Sequence, residues 1–232
     1  MHLTPRDAAR LLGVSAATLE RWLKSGELVG TRVNEQWRLN RVDLLEFAAS
    51  RNLDVSPDLL ANLEQSQLPG LAEAIRAGGV HRGISGKDKA EVLRAVVDRL
   101  PLPGPGERDL LHRVLLAREA LGSTGFGNGI AIPHPRNPIV LRIPRPEVAI
   151  CYIDPPIDFE ALDGKPVHTL FTVVSSSTRT HLHFLALIAH ALRDPTVLAR
   201  LEARAGADEL LPEIARVEAA LGARRTGEAG AP

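Results

Sequence analysis

Three apolar, β-branched runs constrain the fold of this chain more than any other feature: "GIAIPH" at 129–134, "EVAICYI" at 147–153 and "VHTLFTVVS" at 167–175. None alternates strictly between polar and apolar, so each reads as a strand covered on both faces. A fourth strand is expected in "GGVHRGISG". Between them, "KDKAEVLRAVVDRL", "RDLLHRVLLAREAL", "HLHFLALIAHALRD" and "GADELLPEIARVEAAL" carry apolar residues at helical spacing. "PLPGPGE" at 101–107 and "SSS" at 175–177 read as loops. Strands that alternate with helices in this way build an α/β layer structure.

That alternation occupies residues 71–221 of a chain of 232. Before it, "RNLDVSPDLLANLEQSQLPG" at 51–70 reads as a polar linker, with a short helix expected between Pro57 and Pro69. After it, "GARRTGEAGAP" at 222–232 has the composition of a flexible tail. Acidic and basic residues balance at 28 each, so the whole chain presents no basic field to nucleic acid. The single cysteine, Cys151, excludes an internal disulfide and a cysteine-based zinc site. "MHLTPRDAARLLG" lacks the apolar core of a signal peptide, and no apolar run is long enough to span a bilayer. A soluble, cytoplasmic protein without membrane insertion is expected.

Residues 1–50 are a separate unit. Thr4 is placed to cap a first helix that opens with Pro5 and turns Ala8, Leu11 and Leu12 to one face. Gly13 ends it, and Ser15 caps a second helix through Leu19, Trp22 and Leu23. Two helices joined so tightly form a helix-turn-helix. "LVGTRVNEQWRL" then reads as a hairpin, and "NRVDLLEFAAS" returns to helix. Across residues 1–51, eight basic residues stand against six acidic ones. Thr18 and Arg21, with Ser25, recur on the second helix away from its Leu19/Leu23 face. Such a helix lies in a major groove with polar side chains at base edges and Arg or Lys on phosphates. The candidate DNA contacts are Ser15, Thr18, Arg21, Lys24, Arg32 and Arg38, with Arg41 beside them, whereas Trp22 and Trp37 read as core residues. "LTPRDAARLLGVSAATLERWLKSGELVGTRVNEQWRL" resembles the winged helix-turn-helix of the excisionase and MerR-like families, which implies DNA binding. Asp7 stands where those families more often carry Glu.

In the larger unit, "GNGIAIPHPRNP" places His134 between Pro133 and Pro135. Prolines fix φ and restrain the residue before them, so this ring is held. An imidazole at a strand end can act as metal ligand, general base or nucleophile. No HExxH or cysteine pair accompanies it, and His181 and His183 point about 200° apart on a helix, so they cannot chelate one ion. GxSxG is absent, which sets aside serine hydrolase chemistry. "GFGNG" at 125–129 lacks the ending of a P-loop and the strand-turn-helix order of a dinucleotide fingerprint. Its glycines, Gly125, Gly127 and Gly129, are expected to supply a turn whose amides approach a phosphoryl group on the ring. Arg118, at the end of the preceding helix, is expected to add a fixed charge.

"REALGSTGFGNGIAIPHPRNP" together with "THLHFLALIAHALRD" resembles enzyme IIA of the phosphoenolpyruvate-dependent phosphotransferase system, in its fructose/mannitol and nitrogen-regulatory class. The resemblance runs over residues 71–221 and implies an α/β fold, a mixed sheet flanked by helices. It implies that His134 accepts a phosphoryl group from a phosphorylated HPr-type carrier. It also implies that His181 is the second active-site histidine and that Arg118 is the basic residue ahead of the glycine turn. No metal and no cofactor is implied.

A IIA domain that serves a sugar permease passes its phosphoryl group to a IIB domain, and no IIB-like or membrane segment is visible here. The fusion to a helix-turn-helix favours a regulator in which the phosphorylation state of His134 alters what residues 1–50 bind. The alternative is a sugar-specific phosphocarrier for a separate permease, with the N-terminal unit as a docking module. A third reading is a regulator that keeps the histidine without phosphorylation. A homodimer fits the first reading, because one small winged unit reads only a half-site.

Overall fold

The computed structural model describes residues 2–33, 36–40, 43–44, 47–48, 51, 53, 68–135, 143, 145–161, 163–175 and 177–228. The chain divides into two compact units, 1–67 and 68–232. The helix expected between Pro57 and Pro69, and Arg41, lie outside the described residues.

The N-terminal unit holds β1 (His2–Leu3), α1 (Pro5–Leu11), α2 (Ala16–Ser25), β2 (Thr31–Val33) and β3 (Gln36–Asn40). Its sheet is antiparallel in the order β1-β3-β2, so the expected hairpin is present and is joined by an N-terminal strand that periodicity did not reveal. Thr4 and Asp7 close a capping box at α1: the Thr4 hydroxyl accepts the Asp7 N–H at 3.2 Å, and the Asp7 carboxylate accepts the Thr4 N–H at 3.3 Å. The shorter acid therefore completes the box here. Gly13 at φ +62° makes the turn into α2, where a side chain would be strained. Ala8, Leu11, Leu12, Leu19, Trp22, Leu23, Leu28 and Leu39 are buried, together with Leu44 and Phe47 from the described helical residues that follow. Trp22 packs on Phe47 with ring centroids 4.9 Å apart.

The C-terminal unit runs α3 (Leu71–Gly78), β4 (Val80–Ile84), α4 (Lys89–Arg99), α5 (Pro105–Glu119), β5 (Gly125–Gly127), β6 (Ile130–Ala131), β7 (Glu147–Ile157), β8 (Val167–Val174), α6 (Thr178–Ala191), α7 (Pro195–Glu202) and α8 (Ala207–Glu228). The sheet order is β4-β7-β8-β6-β5. β4/β7 and β6/β8 are parallel pairs, and β7/β8 and β5/β6 are antiparallel, so the sheet is mixed. Alternation along β7 explains its unbroken apolar sequence. Ala149, Cys151 and Ile153 join the core formed with Val92, Leu93, Val96 and Val97 of α4 and Leu111 and Leu115 of α5. Val148, Ile150 and Tyr152 turn to the other face. There α3 packs on β7, and the Tyr152 hydroxyl donates to the Ala205 carbonyl at 2.8 Å.

Four features differ from the sequence reading. α5 starts inside "PLPGPGE", because Gly104 and Pro105 form a helix start rather than a loop. α3 and α7 appear where no helix was read. His112, expected on a solvated face, is half-buried and donates from Nε2 to the Ala90 carbonyl at 2.9 Å. α8 continues to Glu228, into the segment read as a flexible tail. No described helix is long and apolar enough to cross a membrane.

Candidate functional site

The parallel pair β6/β8 brings two strands to a common carboxyl end, and the site candidates gather there. Ile130 and Ala131 pair with Thr169 and Leu170, and the Pro133 carbonyl accepts the Val173 N–H at 3.3 Å. His134 follows with only 2% of its surface exposed, between the buried Pro133 and Pro135. β8 leads through Ser175 into α6, whose N-terminus is capped by Ser177 accepting the Thr180 N–H at 3.1 Å. His181 lies in the first turn of that helix and is wholly buried. The His134 and His181 rings stand 5.1 Å apart between centroids, tilted by 49°. Two histidines 47 positions apart in sequence thus share one site.

The His134 ring has a defined tautomer. Its Nδ1 lies 2.6 Å from the Ile132 carbonyl oxygen, and a carbonyl only accepts, so Nδ1 carries the proton. Nε2 of the neutral ring is then the unprotonated, nucleophilic nitrogen. His181 Nδ1 is 3.4 Å from the Ser175 hydroxyl, which ties the second ring to the end of β8.

The glycine turn is placed otherwise than expected. Gly127, Asn128 and Gly129 take φ of +105°, +53° and +71° and form the tip of the β5/β6 hairpin. β6 covers Ile130 and Ala131, and backbone pairing with β8 continues to the Pro133 carbonyl, so His134 lies past the end of β6 opposite the tip, five residues from Gly129 and at most about 16 Å away at ~3.3 Å per residue. The tip therefore stands at the far end of β6 from the imidazole, and its amides are not a cradle for a group on that ring. Its glycines serve close packing. A Cβ on Gly129 would lie 2.3 Å from the His168 ring, and one on Gly125 would lie 2.5 Å from Ala161 Cβ. Asp163 holds the tip by accepting the Asn128 N–H at 2.8 Å. His168, between Thr169 at 2.8 Å and Glu202 at 3.1 Å, closes its other side. Asp163 escaped sequence reading because the N–H it accepts, that of Asn128, lies 35 positions away.

The start of the hairpin, not its tip, accompanies His134. The Thr124 carbonyl accepts the Ile132 N–H at 3.0 Å, which brings residues 122–124 alongside Ile132–His134. Arg118 belongs to this end, with its guanidinium donating to the Gly122 carbonyl at 2.9 Å. Glu119, buried at 7% exposure, accepts both the N–H and the hydroxyl of Thr124. Cys151 is buried in the sheet, and desolvation pushes its thiol up to about 12, so it is chemically inert. Glu147 opens β7 at 3% exposure, and burial raises its carboxyl to about 7 against the opposing pull of Arg145.

In the N-terminal unit, Ser15 is committed to α2: its hydroxyl accepts the Thr18 N–H at 3.1 Å and lies 2.9 Å from the Thr18 hydroxyl. Ser25 is likewise turned to the Trp22 carbonyl and to Glu27. Arg21 and Lys24 are exposed on one shallow groove with Ala17 and Glu20. The Lys24–Glu20 pair, at 3.6 Å, is solvent-exposed and holds Lys24 only weakly. Arg32 lies over the Trp37 ring at 5.0 Å, and Arg38 donates to Gln36 at 3.1 Å.

Comparison with known proteins bears on both units. Residues 73–217 match the family model described as phosphoenolpyruvate-dependent sugar phosphotransferase system, EIIA 2, and residues 3–52 match a helix-turn-helix domain model. The chain is 37% identical over 138 residues to the nitrogen regulatory protein of Pseudomonas aeruginosa, which covers 58% of this chain and 88% of the relative. It is 30% identical over 145 residues to the nitrogen regulatory protein homolog of Haemophilus influenzae, covering 60% of this chain and 87% of that one. The crystal structure of nitrogen regulatory protein IIA-Ntr from Neisseria meningitidis superposes with a TM-score of 0.53 at 26% identity, over 62% of this chain and 97% of that structure.

Proposed function

Because this chain belongs to the EIIA 2 family of the phosphoenolpyruvate-dependent sugar phosphotransferase system, we propose that His134 Nε2 accepts a phosphoryl group from a phosphorylated HPr-type carrier. We further propose that the N-terminal helix-turn-helix converts the state of that histidine into a change of DNA binding. The observation that carries the first part is the Nδ1 contact to the Ile132 carbonyl, which puts the proton on Nδ1 and the lone pair on Nε2, in a ring beside His181. In the transfer, Nε2 bonds to phosphorus as the carrier's phosphorus–nitrogen bond breaks, and the carrier imidazole leaves with the electron pair. The positive charge that develops on the His134 ring is shared with the Ile132 carbonyl through Nδ1–H. His181 sits to donate to a phosphoryl oxygen, and Arg118, in the last turn of α5, supplies fixed positive charge. Positioning and charge carry such a reaction, since the protein contributes little covalent chemistry of its own.

A regulatory role is supported by the matched relatives, named as nitrogen regulatory proteins, and by the helix-turn-helix match. Ser15, Thr18, Arg21 and Lys24 at and on α2, with Arg32 and Arg38 on β2 and β3, are the proposed DNA contacts; Ser15 also caps the helix. A phosphoryl group adds about −1.5 to −2 of charge, enough to alter an interface or oppose DNA phosphates. The linker at 51–70 joins the two functions, and a cytoplasmic homodimer on a two-fold site fits this reading. The competing reading is a phosphocarrier for a separate sugar permease. It is favoured by 31% identity over 135 residues to a fructose-specific EIIABC component of Bacillus subtilis, of which the match covers 20%.

The deciding experiment is intact mass after incubation with phosphoenolpyruvate, enzyme I and an HPr-type carrier, beside His134→Ala, followed by DNA affinity of both forms. One added phosphoryl group that is absent from the variant, with DNA affinity that differs between forms, is expected. Phosphorylation without any DNA binding would return the chain to the permease-serving reading.

A further inference from the structure

A buried polar chain leads from the end of α5 to the His134 ring, and its first acid is assigned no role by the transfer chemistry. Glu119 ends α5 at 7% exposure. Its Oε1 accepts the Thr124 N–H at 3.1 Å, and its Oε2 accepts the Thr124 hydroxyl at 2.7 Å. Lys89 Nζ lies 3.6 Å from the same carboxylate and 2.9 Å from Glu160. The Thr124 carbonyl accepts the Ile132 N–H at 3.0 Å, and the Ile132 carbonyl accepts the His134 Nδ1–H at 2.6 Å. Every link joins the next through a single residue's polar groups, so the position of the last carbonyl follows from the carboxylate at the start.

We propose that Glu119 is a positioning residue for His134: by fixing Thr124, and through it Ile132, it holds the carbonyl that selects the Nδ1–H tautomer. The inference rests on His134 Nε2 as the phosphoryl acceptor and adds a residue to that reading. The chemistry of the link requires an acid. Thr124 presents two donors, N–H and O–H, to one carboxylate at 3.1 and 2.7 Å, and the Lys89 ammonium pairs with the same charge at 3.6 Å, which a neutral side chain would not balance. A glutamine with its oxygen at the Oε2 position still meets both Thr124 donors, at 3.3 and 2.7 Å, but turns its NH2 toward the Lys89 ammonium and sets donor against donor there. With the Ile132 carbonyl displaced, neutral His134 divides between two tautomers, and the fraction protonated on Nε2 has no lone pair for attack.

The test uses the full chain labelled with 15N-histidine, in wild type, Glu119→Gln, Thr124→Val and Thr124→Ser. Long-range proton–nitrogen correlations of the His134 ring report the tautomer without any phosphoryl donor. In parallel, the initial rate of phosphoryl uptake is measured with enzyme I and an HPr-type carrier. Wild type is expected to show Nδ1–H predominantly. Glu119→Gln and Thr124→Val are expected to move the ring nitrogens toward tautomer averaging and to slow uptake about tenfold, as small misplacements of reacting groups do. Thr124→Ser, which keeps the hydroxyl, restores both. Ring shifts and rates unchanged in folded Glu119→Gln and Thr124→Val would overturn the proposal, as would a fall in Tm with both unchanged. If Glu119→Gln does not fold, the Thr124 pair decides by the same two readouts. If wild type takes up no phosphoryl group, the acceptor reading fails, and the ring shifts still decide for or against Glu119.

Discussion

His134 combines a fixed tautomer with near-complete burial, and both shape its reactivity. In the proposed transfer the second ring, 5.1 Å away, serves the group on the first rather than the first ring itself. Uptake is therefore expected to vanish in His134→Ala but to persist, about 10²-fold slower, in His181→Ala, measured as initial rates by intact mass. Glu147 gives a separate expectation, for stability. Desolvation raises its folded-state pKa from 4.5 to about 7, while its Oε1 has no hydrogen-bond partner among the described residues. The folded state thus binds the proton more tightly than the unfolded chain. The contribution is fully present below pH 4.5 and is lost as pH rises toward 7. The loss amounts to roughly 3 kcal/mol at 1.36 kcal/mol per pKa unit. Denaturant unfolding across that window should show a decline in wild type that Glu147→Gln flattens, with the variant more stable at about pH 8; equal slopes for the two would refute the assignment.

At the scale of elements, local signals reveal an element when its stabilising partners are also local. α2 was legible from Ser15, the Leu19/Leu23 spacing and Gly26, and β7 from an apolar run that alternation places against two layers. α3 was not legible: Gly70 offers no side-chain cap, and the Leu71 and Ala72 N–H groups are taken by Glu218, on α8 at the other end of the unit. Glu218→Ala is accordingly expected to cost ~1 kcal/mol, the usual worth of an N-cap, in equilibrium unfolding. α7, by contrast, announces itself with Asp194 accepting the Thr196 and Val197 N–H groups and with Pro195 at its first position; the signal was local and was missed. In the β5/β6 hairpin, Gly129 combines φ +71° with a 2.3 Å approach to His168. Gly129→Ala carries both a backbone penalty of about 1–3 kcal/mol and a steric clash, so a clear fall in Tm is expected, with the His134 tautomer retained because the tip is remote from the ring.

At the scale of the molecule, the prediction is a linkage between two units. If α2 enters the major groove, Arg21→Ala and Lys24→Ala should each weaken DNA binding at all sequences and lower the slope of log affinity against log salt by about one. Electrophoretic or fluorescence titrations at several salt concentrations measure this; an unchanged slope in both would place the contact surface elsewhere. By reciprocity, a phosphoryl group on His134 that shifts DNA affinity requires DNA to shift the phosphorylation equilibrium by the same factor.

The sequence by itself determined that the chain carries a helix-turn-helix and an α/β domain of the IIA type, and it singled out His134, His181 and Arg118. The elements and His134 rest on local signals, namely cap residues, apolar periodicity and an imidazole locked between two prolines, while the IIA type and His181 came from resemblance to that family. It also suggested that the "GFGNG" amides face His134, because the motif is adjacent in sequence. Only the tertiary structure decided otherwise. β6 is extended by its pairing with β8, so each residue beyond the turn carries His134 ~3.3 Å further from it, while the antiparallel return of the hairpin brings Thr124 and Glu119 to the imidazole's side. Strand register, a property of partners far apart in the chain, determines which backbone groups surround the ring.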